Sequence, residues 1–304
     1  MKVVVTGATG TIGREVVRAL RDRGDDVAVL TRDPDRAREK LGADVEAHVW
    51  RDPKTEPAPA EALHDADAVI HLLGEEVAQR WSDEAKREIR DSRVLGTRNL
   101  VAGLREAGPR LRTLVSQSAS GWYGPRGSEP VDETEPPADD FLAQVVQDWE
   151  AEARRADDEV GVRVVMTRTG VVLSPDGGAL EKMMPFFKLG VGGPVAGGKQ
   201  YVPWIHLDDV VGALLFALDN DAASGPVNVV APNAATNKEF SKALGRAIHR
   251  PAFAPVPGFA VKLLYGGMAS IVTTGARLVP GRLEELGYSF RHPELDEAVR
   301  SATS

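Results

Sequence analysis

The first 32 residues constrain the fold of this chain more than any other segment. A short apolar run at residues 2–6 is followed at once by the turn sequence GATGTIG at residues 7–13. Apolar residues then recur at helical spacing, and a second apolar run covers residues 27–30. A strand, a glycine-rich turn, a helix and a second strand form the unit that binds a dinucleotide in doubly wound α/β proteins. We therefore predict an α/β protein with a Rossmann-type doubly wound parallel sheet.

The glycines of the turn are spaced GxxGxxG, and each has a separate role in such a site. One permits the tight turn, one lets the backbone approach a pyrophosphate, and one lets the helix pack closely on the strand. The pyrophosphate would lie on the free N–H groups at the helix start. An ordinary structural turn is the alternative, since glycine also marks turns. The cofactor contacts that we predict here are Gly7, Thr9, Gly10, Thr11, Ile12, Gly13 and Arg14.

The end of the second predicted strand bears on which dinucleotide is bound. Sites for NAD carry an acidic residue about 20 residues after the glycines, where it binds the ribose 2′-hydroxyl. This chain has Thr31 and Arg32 there, and a guanidinium pairs with the 2′-phosphate of NADP through two donors. We therefore predict NADP(H), with Arg14 as a further contact. Two alternatives stay open: both arginines are surface residues, or Asp33 supplies the acid of an NAD site.

Composition excludes several other classes of function. The chain of 304 residues is 42% hydrophobic, has a formal net charge of −8 and contains no cysteine. An acidic balance argues against nucleic-acid binding, and the lack of cysteine excludes disulfides, thiolate metal sites and a cysteine nucleophile. Because the first strand begins at residue 2 and every long apolar run is interrupted by charge, we expect neither a signal peptide nor a membrane span. We expect a cytoplasmic monomer or homodimer with a small-molecule substrate.

Apolar runs and amphipathic helices alternate through the first two-thirds of the chain, which requires parallel strands with helices on both faces of the sheet. The predicted strands are residues 2–6, 26–31, 44–49, 67–72, 112–117 and 162–168. The predicted helices are residues 11–23, 34–41, 83–107 and 139–157.

After residue 170 the pattern changes to glycine-rich turns. A helix at 207–218, a strand at 227–230 and a helix at 237–248 are still predicted. We predict a dinucleotide-binding domain and a smaller C-terminal substrate lobe. The domain comprises residues 1–170 and is rejoined by 201–230; the lobe and a C-terminal extension comprise 171–200 and 231–304.

Hydroxyl and aromatic side chains follow the fifth predicted strand, in the sequence SQSASGWYG at residues 116–124. Open α/β sheets bind ligands at the carboxyl ends of their strands. We predict Ser118 and Tyr123 as catalytic residues, because a serine can orient a substrate oxygen and a tyrosine can exchange a proton during hydride transfer. The alternative is that the serine completes hydrogen bonds at the strand end and the aromatic side chains only pack.

Further cofactor contacts are expected around the fourth strand, which ends in a glycine and would pass beneath the adenine and its ribose. His71 inside this strand is interpreted as a core histidine. His206 and Asp208 precede a helix. A role in capping that helix is at least as well supported as a catalytic role. Because the six histidines lack ligand spacing, we predict no metal. The additional cofactor contacts that we predict are Leu72, Leu73, Gly74, Arg93, Ser116 and Arg168.

These segments together resemble the extended type of the short-chain dehydrogenase/reductase superfamily, in its atypical branch of epimerase family proteins. The resemblance covers essentially the whole chain and implies NADP(H) binding, a substrate lobe after about residue 170 and a family-specific C-terminal extension. The segments that carry it are TGATGTIG (6–13), RW (80–81), SR (92–93), GT (96–97), SAS (118–120), YG (123–124), RTGVVLS (168–174), GGAL (177–180), WIHLDD (204–209), NVVAP (228–232), TNKEF (236–240), HRP (249–251) and VP (256–257).

One departure from the family pattern bears on mechanism. Extended relatives carry Tyr-x-x-x-Lys on the helix after the long loop, whereas residues 141–150 contain neither residue. One hypothesis is an NADP(H)-dependent oxidoreductase or epimerase acting on a small carbonyl or sugar-nucleotide-like substrate, with Tyr123 as the candidate replacement acid. The other is a non-catalytic NADP(H)-binding protein that senses redox state or binds a partner. The missing pair favours the second hypothesis, and the retained Ser118 and Tyr123 favour the first.

Overall fold

The structure is a computed structural model that describes residues 1–304 and contains strands, α-helices and two short 3-10 segments. The strands are β1 (Lys2–Thr6), β2 (Asp26–Thr31), β3 (Glu46–Val49), β4 (Ala68–His71), β5 (Thr113–Ala119), β6 (Pro130–Val131), β7 (Arg163–Thr169), β8 (Val171–Leu173), β9 (Tyr201–Val202), β10 (Trp204–His206), β11 (Gly225–Val229), β12 (Ala235–Thr236) and β13 (Arg277–Leu278). The helices are α1 (Thr11–Asp22), α2 (Pro34–Leu41), α3 (Ala60–Leu63), α4 (Asp83–Leu104), α5 (Phe141–Val160), α6 (Gly178–Lys188), α7 (Leu207–Asp219), α8 (Asn237–Ala247), α9 (Gly258–Tyr265), α10 (Ala269–Thr273), α11 (Gly281–Glu285) and α12 (Leu295–Ser301).

Seven strands form one parallel sheet in the order β3-β2-β1-β4-β5-β7-β11. From β1 the chain builds outward through β2 and β3 on one side and through β4, β5, β7 and β11 on the other. The order therefore reverses between β1 and β4, and parallel strands bring all seven carboxyl ends to one edge. Open α/β sheets bind ligands in the crevice at this reversal.

Both faces of the sheet are buried, which explains the continuous apolar runs of its strands. Val3 and Val5 of β1 belong to a hydrophobic cluster formed with α1 and α7, whereas Val4 between them belongs to a cluster formed with α3, α4 and α5. This division follows from the alternation of side chains along a strand. The predicted doubly wound parallel sheet is confirmed, and the predicted strands and helices match the observed ones to within about three residues at each end.

The rest of the chain forms short pairings around this sheet. Strand β8 pairs with β10, β9 with β12, and β6 with β13, which ties the long loop before α5 to the C-terminal region. A third hydrophobic cluster joins α6, α8 and α12. Strand β11 lies at one edge of the large sheet, and the predicted division into a domain and a lobe stays a prediction. No α-helix is both long enough and apolar enough to cross a membrane.

Candidate cofactor and substrate site

The glycine-rich turn lies at the carboxyl end of β1, beside the point where the strand order reverses. Gly7 has a φ of +66°, and a Cβ there would lie 2.6 Å from the carbonyl oxygen of Leu72. A Cβ on Gly13 would lie 2.3 Å from the carbonyl oxygen of Gly7. A Cβ on Gly10 would meet only that same oxygen, at 3.3 Å. Gly7 and Gly13 are therefore required for the packing of the turn, whereas Gly10 faces open space in front of α1.

The start of α1 presents unsatisfied hydrogen-bond donors. The backbone N–H groups of Thr11, Ile12 and Gly13 donate to no group of the chain. Gly10 at the N-cap offers no side chain, and the first turn contains no acidic residue. The Nε of Arg14 is also buried without a partner. Free N–H groups at the positive end of a helix dipole, beside a guanidinium, are suited to bind a pyrophosphate.

The end of β2 offers exposed cations rather than a free acid. Arg32 is exposed and makes no ion pair or hydrogen bond. Asp33, the acid of the alternative NAD site, accepts a hydrogen bond from the backbone N–H of Arg36 at 3.0 Å and caps α2. Arg36 is itself exposed in the first turn of α2, and the sequence argument did not select it. The local arrangement is suited to a phosphate at this position.

The hydroxyls of Ser118 and Tyr123 lie in a buried network. Ser118 Oγ donates to Glu150 Oε1 at 2.6 Å, and Tyr123 Oη donates to Asn228 Oδ1 at 2.6 Å. Arg168 joins the two halves: Nε and Nη2 donate to the two oxygens of Glu150 at 2.8 and 3.0 Å, and Nη1 donates to Tyr123 Oη at 3.0 Å. None of these five residues is more than 2% exposed. The network therefore ties β5, β7, β11 and α5 together beneath the edge of the sheet.

Tyr123 is held protonated in this network. Burial raises the pKa of Tyr123 to about 12, although the charge of Arg168 and its hydrogen bond act to lower it. The Arg168 guanidinium also lies 3.8 Å from the centre of the Trp122 ring. Ser118 and Tyr123 as catalytic groups stay a prediction; in this structure their hydroxyls are turned to Glu150 and Asn228.

Two predicted cofactor contacts, Ser116 and Arg168, lie inside the sheet. Ser116 is fully buried, and its hydroxyl reaches only the carbonyl oxygen of Gln117, at 3.4 Å. The donors of Arg168 are directed at Glu150 and Tyr123, as described above. Neither side chain is directed at an open surface, and their role as cofactor contacts stays a prediction.

One polar group that remains available near β5 lies in the 3-10 segment Ser120–Tyr123. Ser120 is partly exposed, and its hydroxyl makes no hydrogen bond. Facing this segment, α5 presents apolar side chains: a Cβ on Gly121 would lie within 4 Å of both Leu142 and Val146. These two residues have the i, i+4 spacing of the Tyr-x-x-x-Lys pair of typical relatives. Ser118 was predicted from the sequence and Ser120 was not, although both belong to the same run of hydroxyls.

His71 of β4 is a core residue, as interpreted from the sequence. It is fully buried, and its Nδ1 and Nε2 lie 2.7 and 2.9 Å from the hydroxyl oxygens of Thr6 and Thr97. Burial lowers the pKa of His71 to about 3, so the ring is neutral. Beyond it, Leu72 and Leu73 are partly buried and Gly74 is exposed at the edge of the sheet.

Arg93 of α4 reaches this same edge. A Cβ on Gly74 would lie 3.0 Å from the Cζ and Nη2 of Arg93. Because β4 lies between β1 and β5, the structure brings the glycine turn, residues 72–74 and the end of β5 together along one crevice. Arg32 stands at the neighbouring end of β2.

Histidines that are distant in the sequence meet near the start of α7. His206, Asp208 and His292 place one possible ligand atom each within 4.8 Å of one another. His206 Nδ1 accepts the Asp208 N–H as the helix cap, at 3.1 Å, as the sequence indicated. That bond occupies the lone pair of Nδ1 and leaves the proton on Nε2, so the ring as placed offers no ligand lone pair. The absence of a metal stays a prediction.

The sheet order, the glycine turn and the free helix start define a Rossmann-type dinucleotide-binding protein. The profile of the NAD dependent epimerase/dehydratase family matches residues 3–231, and that of a domain of unknown function (DUF1731) matches residues 256–302. The chain belongs to this epimerase/dehydratase family and carries a DUF1731 domain at its C-terminal end. The resemblance stated from the sequence is thereby confirmed.

Relatives match over nearly the whole chain. Epimerase family protein Mb2239 from Mycobacterium bovis is 40% identical over 304 residues, covering 99% of this chain and 97% of that protein. The crystal structure of human epimerase family protein SDR39U1 (isoform2) with NADPH has a TM-score of 0.89 at 33% identity, covering 100% of this chain and 99% of that one. The nucleoside-diphosphate sugar epimerase of Corynebacterium glutamicum has a TM-score of 0.79 at 32% identity, and the match covers 100% of this chain but 58% of that one.

The relatives do not assign a compartment to this chain. An Arabidopsis thaliana relative that is 37% identical over 310 residues, with 99% of this chain and 86% of that protein covered, is named chloroplastic. A cytoplasmic location, a monomeric or homodimeric state, a small-molecule substrate and the absence of nucleic-acid binding stay predictions.

Proposed function

We propose that this protein binds NADP(H) and is an oxidoreductase or epimerase acting on a small carbonyl or sugar-nucleotide-like substrate. The observation that carries the cofactor assignment is the exposed, unpaired Arg32 beside a free helix N-terminus, while Asp33 is engaged as a helix cap. The human relative crystallised with NADPH supports the same choice. Arg32, with Arg36 next to it, would receive the 2′-phosphate, and the start of α1 with Arg14 would receive the pyrophosphate.

A bound nicotinamide would supply or accept a hydride at the crevice. The protein supplies the orientation, because the glycine turn and residues 72–74 fix where the cofactor can lie. Proton transfer falls to water in the open crevice, since α5 offers no tyrosine or lysine and Tyr123 is tied to Asn228 and Arg168. Without a side-chain base to take the hydroxyl proton, oxidation of an alcohol lacks general-base assistance near neutral pH, whereas water can protonate the oxygen when a carbonyl is reduced.

The second candidate is a non-catalytic NADP(H)-binding protein. It is favoured by the apolar pair Leu142 and Val146 opposite the end of β5, and by the burial of both hydroxyls that the sequence singled out. A sensor of this kind needs the same cofactor contacts and no proton relay.

One experiment separates the two candidates. The protein is titrated with NADPH and NADH by calorimetry, and is then incubated with NADPH and a panel of aldehydes, ketones and sugar nucleotides while NADPH absorbance is followed. Oxidation of NADPH with any member of the panel supports the enzyme. Tight NADPH binding without turnover supports the binding protein, and failure to bind NADPH contradicts both.

A further inference from the structure

Arg93 of α4 carries a partly buried guanidinium that has no anionic partner. Its only hydrogen bond runs from Nη1 to the carbonyl oxygen of Ile89, one turn earlier on α4, at 3.0 Å. No carboxylate oxygen lies within ion-pair distance. Burial lowers the pKa of Arg93 to about 10, although the charge of Glu75 acts to raise it. Guanidinium groups inside proteins are ordinarily paired, so this position calls for an explanation.

Gly74, at the edge of the crevice, lies against this guanidinium. A Cβ on Gly74 would lie 3.0 Å from Nη2 and 3.3 Å from Nε of Arg93. These two nitrogens form the edge that binds planar anions through two parallel hydrogen bonds, and here they donate to nothing. Gly74 is exposed at the carboxyl end of β4, so the edge is within reach of a molecule in the crevice.

A second unsatisfied donor lies beside the first. The Arg93 guanidinium is 5.3 Å from the ring centre of Trp149 on α5. Trp149 is 3% exposed, and its indole Nε1 has no hydrogen-bond partner. Buried donors without acceptors are rare in native structures. This buried donor without an acceptor, close to the two free donors of the Arg93 guanidinium, indicates a place for a ligand rich in acceptor oxygens.

We propose that Arg93 and Trp149 bind an anionic oxygen group, a carboxylate or a phosphate, of the substrate. The proposal rests on the function proposed above and narrows its substrate class from neutral carbonyls to carbonyl compounds that carry an acid group. The phosphates of the cofactor have other donors, at the start of α1 and at Arg32, on the β1 and β2 side of the crevice. Arg93 lies at β4, on the side of β5, where the substrate must meet the nicotinamide. The proposal gives Arg93 a substrate contact in place of the cofactor contact predicted from the sequence.

The test uses the full chain, both free and saturated with NADP⁺. Sodium malonate and sodium phosphate are titrated by calorimetry at constant ionic strength, which separates a carboxylate site from a phosphate site. We expect one of the two anions to bind the wild type and to bind Arg93→Gln at least tenfold more weakly. Arg93→Lys keeps the charge without the two-donor edge and should bind with intermediate affinity. Trp149→Phe keeps the ring and should also weaken binding.

Arg90→Gln is the matched control, because Arg90 lies on the same helix and pairs with Asp148 at the surface. It should leave anion binding unchanged. The proposal is overturned if neither anion binds the wild type, if Arg93→Gln and Arg93→Lys both bind as the wild type does, or if Arg93→Gln lowers NADPH affinity tenfold. Anion binding that depends on Arg93 in a protein that does not bind NADPH would overturn the proposed function and support the anion site.

Discussion

Glu150 is the residue whose change should most clearly reveal what the buried network does. Its Oε1 accepts hydrogen bonds from Ser118 and from Arg168 Nε, and its Oε2 accepts from Arg168 Nη2 and from Arg154. Glu150→Gln preserves the shape of the side chain. It replaces one of the two accepting oxygens by an NH₂ group that faces donors, and it leaves the Arg168 guanidinium buried without a counter-charge.

The expected loss of stability can be worked from these contacts. Two charge-assisted hydrogen bonds are lost, each contributing about 1.5–3 kcal/mol. Removing one partner of a buried ion pair costs about 3–5 kcal/mol, and this figure already includes the lost hydrogen bonds. We therefore expect Glu150→Gln to lower the free energy of unfolding by about 3–5 kcal/mol. For a chain of this size the Tm should fall by roughly 5–8 °C.

The assay is urea unfolding followed by circular dichroism, with calorimetry for the Tm. Glu159→Gln on the same helix is the control, because Glu159 pairs with Arg105 and Arg155 near the surface, where solvent screens ion pairs, and should contribute far less to stability than Glu150. Arg168→Met should cost about as much as Glu150→Gln. The double variant should lose at least about 2 kcal/mol less free energy of unfolding than the two single variants lose together, since the second change removes the buried partner that the first change left unpaired.

Two results would refute this reasoning. A loss of stability in Glu150→Gln no larger than that in Glu159→Gln would mean that the Arg168 charge is satisfied elsewhere. Additive costs in the double variant would mean that the two side chains do not act as a pair.

Three further outcomes are expected. Arg32→Ala should weaken NADPH binding roughly ten- to a hundredfold and leave NADH binding nearly unchanged in calorimetric titration, because it removes the partner of the 2′-phosphate; equal losses would contradict the assignment. Gly10→Val should abolish NADPH binding without lowering the Tm, whereas Gly13→Val should lower the Tm, because its side chain meets the backbone of the turn. His71 is held neutral with a pKa of about 3, so its contribution to the free energy of unfolding is present above about pH 6.5 and is lost as the pH falls toward 3. Between pH 7 and pH 5, the free energy of unfolding measured in urea should fall by about 2 kcal/mol more in the wild type than in His71→Asn. Equal falls in the two proteins would contradict this assignment.

The sheet could be predicted because its signals are local. Apolar runs of four to seven residues, separated by helices with their own periodicity, specify parallel strands with little ambiguity. The glycine turn then fixes β1 at the centre, since GATGTIG joins a buried strand to a helix start. Helix α3 was missed because its four residues are too few to show a period.

The network beneath the site could not be predicted in the same way. Glu150 lies 32 residues from Ser118, and Asn228 lies 105 residues from Tyr123, so only the folded sheet brings them together. One signal was available: Arg168 stands in an apolar strand and, once buried, must find a counter-charge. The observed register places Arg168 directly beside Ser118 on the adjacent strand. Hydroxyls selected by sequence position thus became hydrogen-bond partners of a structural ion pair.

Arg168 of β7 and Arg93 of α4 show that an arginine can have two different roles in one protein. The charge of Arg168 is matched by Glu150, so its removal should destabilise the protein. The charge of Arg93 is matched by nothing in the chain, so Arg93→Gln should raise the free energy of unfolding of the free protein, by about 1 kcal/mol after allowance for screening at a half-buried position. Such opposition between stability and binding is typical of functional sites. A stability loss in Arg93→Gln larger than in the surface control Arg90→Gln would show that Arg93 is a structural residue whose partner lies within the protein.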